Sequence, residues 1–282
     1  KDFDAQAELV KQIDYKYFVD VAGLPEERDR KSKAINLCKY FQVADLRIML
    51  QPDFLVNFRG SSACSSEKNI INSRAWIQTA INISKSMETK PYDSDKLKAY
   101  LPELRGMTIK KPEEFLPRMR EIFSECGIAF VLLPHLKNSG VNGAVKWITE
   151  DRVVLAMNNR GLDADKFWFS LFHEIKHVLQ QKIKTVFISS TVDKMIDINN
   201  KLETEADKFA TNYLISPADY KRLAPSRYTS DDEIIKFAET IGIHPGIVAG
   251  RLQHEGIIAQ NRCSKLKEKY IIEVNHIADN RY

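Results

Sequence analysis

The chain has 282 residues, 44% of them hydrophobic and 28% charged, which supplies enough apolar material for one large globular unit or two smaller ones and excludes disordered and collagen-like compositions. No run of about eighteen uncharged apolar residues occurs, and Lys1-Asp2-Phe3-Asp4 lacks the basic-then-apolar layout of a signal peptide, so the expectation is a soluble, cytoplasmic protein with no membrane partner. The net charge of +4 comes from residues 61–120, with 11 basic and 7 acidic groups, and a charge so dispersed reads as solvated surface rather than a phosphate-binding patch.

Residues 5–60 read as mostly helical, with a break at Gly23-Leu24-Pro25 and an apolar stripe through Leu37, Tyr40, Phe41, Ala44 and Ile48. Residues 60–67 read as a small-residue loop. Helical patterns resume at Ile71, Ala75, Trp76, Ala80 and Ile83, then over Leu97–Arg105 and Phe115–Cys126. The texture changes at Ile128–Leu133, a continuous apolar run ended by Pro134, and Val141–Ile148 and Arg152–Ala156 follow as two more strands around a turn at Thr149-Glu150-Asp151. Short strands followed by long helical patterns predict an α+β fold with a small three-stranded sheet. The regions expected are a helical front (1–125), an α+β unit (126–225) and a small helical tail (226–282).

Trp168, Leu171, Phe172, Ile175 and Leu179 recur at helical intervals, with Asp165 as the expected N-cap. Inside that helix stands His173-Glu174-Ile175-Lys176-His177. Imidazoles four residues apart project from one helical face, close enough to share a tetrahedral zinc ion, and Glu174 stands beside the first of them, placed to orient a water and take its proton. A third ligand is offered by the next helical pattern, Leu202–Leu214, where Glu203 and Asp207 lie one turn apart. Glu203 is placed to ligate and Asp207 to fix a histidine tautomer, while Glu205 points about 160° of helical rotation away. On their own these acids read equally well as a solvated helix face.

The succession His173-Glu174-Ile175-Lys176-His177, then Glu203-x-x-Ala206-Asp207-x-Phe209-Ala210, then Leu214-Ile215-Ser216-Pro217 resembles the ImmA/IrrE family of zinc metallopeptidases. The resemblance implies Zn2+ as cofactor, His173, His177 and Glu203 as ligands, and Glu174 as general base. Trp76, Leu104–Thr108, Gly143–Trp147 and Phe167-Trp168-Phe169 are similar to the long members that follow an XRE-type helix-turn-helix and are grouped with HigA-type antitoxins. Residues 1–60 are charge-balanced and show no helix-turn-helix, so a DNA contact is expected only through a domain before Lys1. Lys176 departs from the small residue common at its position in that family, and it lies about 100° around the helix from His177.

Ser230–Glu233 reads as a capping box, Gly242 as a helix end and Pro245 as the start of a second short helix. The pair has a helix-turn-helix outline, but Arg251 is the only Lys or Arg on the second helix, which favours packing over phosphate contact. In zincins an edge strand beside the cleft pairs with extended substrate, which would place Gly143, Ala144 and Val145 there; the same residues also read as an ordinary strand. Tyr213 and Tyr228 are candidates to polarise a scissile carbonyl. His135, His244, His254 and His276 have no ligand spacing. Cys38, Cys64, Cys126 and Cys263 are far apart, contain no CxxC pair and read as core thiols. The expectation is a zinc-dependent endopeptidase whose protein substrate, by the resemblance, is a DNA-binding repressor or antitoxin. The alternative is a non-proteolytic antitoxin or transcriptional regulator that uses the same domain for sensing or partner binding, and a third reading keeps the helix as a scaffold without metal.

Overall fold

Six consecutive apolar residues in Ile128–Leu133 give a strand with hydrophobic side chains on both faces, and such a strand needs a helical layer on each side. The computed structural model, which describes residues 3–51, 56–60, 66–158, 163–180, 192–223 and 230–275, has that arrangement. The strands are β1 (Val56–Gly60), β2 (Ile128–Leu133), β3 (Val141–Thr149) and β4 (Arg152–Asn158), in the spatial order β1-β3-β4-β2. β3 is antiparallel to both β1 and β4, and β4 is parallel to β2. The α+β class and the three expected strands are present. β1 adds a fourth, at the end of the 5–60 stretch that reads from sequence as mostly helical.

One sheet face, with Ala129, Val131 and Leu133, packs against α1 (Phe3–Val10), α2 (Tyr15–Ala22), α3 (Arg30–Phe41) and α4 (Glu67–Ser84). Tyr17 Oη and Trp76 Nε1 each donate to the Pro134 carbonyl at 3.0 Å, tying α2 and α4 to the end of β2. The stripe expected to run on to Ile48 stops early. Gln42 adopts φ 56° and ends α3, so Ala44 and Ile48 turn outward and Leu46 and Met49 take the buried positions.

The other face, with Ile128, Phe130 and Leu132, packs against α5 (Ser94–Gly106), α6 (Pro112–Glu125), α7 (Ala164–Leu179), α8 (Val192–Leu214), α10 (Asp231–Ile241) and α11 (Pro245–His254), with the short α9 (Pro217–Leu223) beside them. Two cores thus flank the sheet, and α5 and α6 join the one that holds the later helices. No helix among the described residues is long and apolar enough to cross a membrane.

α7 starts at Asp163, which occupies the N-cap; Asp165, expected there, sits in the first turn and pairs with Lys267 at 2.9 Å. The C-terminal segment pins this start, since Ala164 N–H donates to Glu268 O and buried Trp168 Nε1 donates to Tyr270 Oη, both at 2.9 Å. Arg105 spans the ends of two helices, donating to the carbonyls of Tyr213, Leu214 and Ile241 that the helices leave without partners. The Ser230–Glu233 capping box forms, and Gly242 (φ 65°) closes α10. Arg251 donates to Thr211 O and Ile215 O, so α11 packs on the end of α8.

Candidate metal centre

α7 carries apolar residues nearly all round and is buried accordingly, which draws His173, Glu174 and His177 into the interior at 1%, 0% and 0% exposure. The two imidazoles lie one turn apart with Nε2 atoms 3.0 Å from each other. α8 packs against α7, and the small residues Ala206 and Ala210 on its buried face permit a close approach. That approach brings Glu203 to 3.3 Å from His173 Nε2 and 3.2 Å from His177 Nε2. The three donor groups lie within 4.8 Å of one another, forming a candidate metal-binding triad.

The outer nitrogens settle the tautomers. His173 Nδ1 is 2.9 Å from Asp207 Oδ1, and a carboxylate only accepts, so Nδ1 donates. His177 Nδ1 is 3.0 Å from Gln180 Oε1. Gln180 Nε2 donates to Leu202 O at 3.2 Å and Glu205 Oε2 at 3.3 Å, which turns its oxygen toward His177 and assigns the Nδ1 proton there too. In its neutral form each ring then presents an Nε2 lone pair to the other and to the Glu203 carboxylate. Three acceptors converging in a buried site repel one another, and a cation among them turns the repulsion into attraction. Burial raises the Glu203 pKa; when the two imidazoles are protonated, their hydrogen bonds and charge outweigh it and bring it down to about 2.

No family model, curated protein or solved structure matches the chain. The site is therefore described by its own geometry.

Glu174 faces β3. A Cβ added at Gly143 would lie 2.6 Å from Glu174 Oε1, so only glycine lets the strand backbone approach the carboxylate this closely. The edge expected at Gly143, Ala144 and Val145 is not open. β1 pairs along it, with Phe58 opposite Ala144 and Asn57 opposite Val145, because β3 has backbone donors and acceptors on both sides that need partners. Ala144 and Val145 point into the two cores.

Glu205, read as solvent-facing, instead accepts from Gln180. Lys176 Nζ lies 5.9 Å over the Phe209 ring. Tyr213 stacks on Phe172 and Phe209, at centroid distances of 5.2 and 5.4 Å; Tyr228, His276 and Cys64 lie outside the described residues. Cys126 and Cys263 are buried thiols, the half-buried Cys38 donates to Gln6 Oε1 at 3.3 Å, and none of the three joins the triad. Gln180, which contacts His177 Nδ1 beside the triad, was not singled out in the sequence. Its signal was available, because a residue three positions after a ligand histidine shares its helix face.

A cavity of about 620 Å³ lies along the N-terminal half of α7, and no residue of the triad lines it. Its wall includes Phe169, whose ring is 6.5 Å from that of His173, Asn142, which precedes Gly143, and Thr211, one turn beyond Asp207. Its charged residues are neutralised within or beside the wall: Asp165 by Lys267, Glu255 by Arg251 and Lys166 by Asp163, each at 2.9 Å. What remains suits a neutral group with an apolar body.

Proposed function

We propose that this chain is a zinc-dependent endopeptidase acting in the cytoplasm on a DNA-binding repressor or antitoxin-type protein. The observation that carries the metal is the convergence of two Nε2 atoms and one carboxylate, with Asp207 and Gln180 placed to hold the neutral rings in the ligating tautomer. Two imidazoles and one carboxylate are a donor set that suits zinc. Ligands at about 2.0–2.2 Å around a tetrahedral ion stand roughly 3.3–3.6 Å apart; here the two Nε2 atoms are 3.0 Å apart and Glu203 approaches them with separate oxygens, Oε2 at 3.3 Å from His173 and Oε1 at 3.2 Å from His177. Zinc in such a site polarises a carbonyl and lowers the pKa of water.

The chain's own residues supply the rest. Glu174, adjacent in sequence to His173 and held against Gly143, takes a proton from the attacking water and delivers it to the departing amide nitrogen. Asp207 and Gln180 keep both imidazoles in the ligating tautomer. The cavity beside Phe169 and Thr211 receives a neutral side chain of the substrate. The nature of the substrate rests on the resemblance to the ImmA/IrrE family alone.

The test compares wild type with Glu174→Gln, both loaded with zinc, against candidate repressors, with products read by mass spectrometry. Cleavage by the wild type and none by Glu174→Gln supports the reading. Partner function retained in Glu174→Gln supports the non-proteolytic regulator, which the pairing of β1 along the strand beside Glu174 also favours.

A further inference from the structure

We propose that β1 is an exchangeable internal strand occupying the docking edge for an extended polypeptide, which takes that edge of β3 by displacing β1. The backbone register places it there. Val56, Asn57 and Phe58 face Lys146, Val145 and Ala144, and Gly60 faces Val141. Between the last two pairs β3 has one residue more than β1, so Arg59 stands alone against Asn142 and Gly143. The irregularity thus falls opposite the glycine that touches Glu174. β1 also contacts α7, the helix that carries His173, Glu174 and His177.

An extended chain lying antiparallel on β3 and against α7 has the placement that strand addition gives a polypeptide ligand, whose backbone hydrogen bonds do not depend on side-chain identity. Two features make β1 the exchangeable partner. Among the described residues it spans five and pairs on one side only, whereas β4 is held by β2 and β3 together. Its ladder is broken by the bulge, and an interrupted ladder in a short edge strand is held by few bonds. The consequence for catalysis, that β1 restrains cleavage until displaced, rests on the endopeptidase reading; the occupancy does not.

The probe is a fluorescein-labelled peptide with the sequence of residues 53–62, tested on protein carrying Glu174→Gln so that nothing is cleaved. In an antiparallel pair alternate residues donate to the ladder, so Asn57→Pro with Phe58→Pro removes at least one ladder donor whichever of the two is engaged. A second variant replaces 56–60 with alternating glycine and serine. If the edge is open in about one molecule in ten to one in a hundred, both variants bind the peptide ~10- to 100-fold more tightly than the chain with β1 intact. Amide exchange in Asn142–Lys146 speeds up in the variants and is slowed again by the peptide. Equal binding by all three proteins, or none by the variants, overturns the proposal.

Should both variants fail to fold, exchange in the unaltered chain decides. β1 amides open at least ~10-fold more readily than those of β4 if the strand is exchangeable, and exchange at the β4 rate overturns it. With Glu174 restored, the variants cleave β-casein faster than wild type. Peptide binding as stated without any cleavage removes the endopeptidase reading and leaves the strand exchange standing.

Discussion

Replacing Gln180 by alanine should weaken zinc binding more than any other change outside the three ligands. Gln180 is 2% exposed and His177 is fully buried, so no water takes over the lost acceptor. The substitution leaves His177 Nδ1–H without its 3.0 Å partner, at a cost of about 1–3 kcal/mol for an orphaned buried donor. The ring escapes that cost by moving its proton to Nε2, which withdraws the lone pair the metal needs. Either outcome lowers metal affinity by about 10- to 100-fold, equivalent to roughly 1.4–2.7 kcal/mol. The Asp207 side chain is 57% exposed, so water can replace it and Asp207→Ala should cost less. Competition against a chromophoric zinc chelator near neutral pH measures both. Affinity in Gln180→Ala within about twofold of wild type, or a smaller loss than in Asp207→Ala, would refute the assignment of the His177 tautomer to Gln180.

Gly143→Ala places a methyl group 2.6 Å from Glu174 Oε1 and 2.8 Å from its Cγ, where carbon contacts are ordinarily about 3.5–4.0 Å. The carboxylate must retreat by roughly 1 Å, so turnover should fall about 100-fold with zinc affinity unchanged; undiminished turnover in steady-state assays counts against Glu174 as the base. Tyr270→Phe removes the 2.9 Å acceptor of buried Trp168 Nε1 and should lower unfolding free energy by about 1–3 kcal/mol in urea titrations, whereas an unchanged midpoint denies that this contact anchors α7. Burial lowers the His244 pKa against the opposing pull of Glu268 and Asp165, and its Nδ1 accepts the Gly246 N–H at the start of α11. The unfolded chain therefore binds this proton more readily, and stability is lost as pH falls below about 6.5. His244→Asn keeps an N-cap acceptor without titrating, so its urea midpoint should fall less steeply than that of wild type between about pH 7.5 and 5.5, and parallel slopes contradict the assignment.

The triad was legible because its spacing is helical and local: His173 and His177 are fixed by one turn of α7, and Glu203 and Asp207 by one turn of α8. The buried strand β2 was legible for a related reason, since an apolar run too short for a helix has few other uses. What was not legible depends on long-range pairing. Nothing in the pattern of Val56–Gly60 shows that it closes β3, because a strand's partner is chosen by register across distant sequence. The same holds for Asp163 in place of Asp165 at the start of α7, where the decision came from Lys267, Glu268 and Tyr270 about a hundred residues on. The division of 1–125 between two sheet faces also follows from packing, and helical periodicity says only that a face is apolar, not which layer covers it.

The central claim is that His173, His177 and Glu203 hold one catalytic metal. Anomalous diffraction at the zinc edge, from crystals grown with equimolar zinc, tests it most directly. The account predicts a single peak about 2.0–2.2 Å from His173 Nε2, His177 Nε2 and a Glu203 carboxylate oxygen, and no such peak in crystals of His173→Ala. Zinc held by other residues, or its absence from the triad while both Nε2 atoms stay 3.0 Å apart, would contradict it.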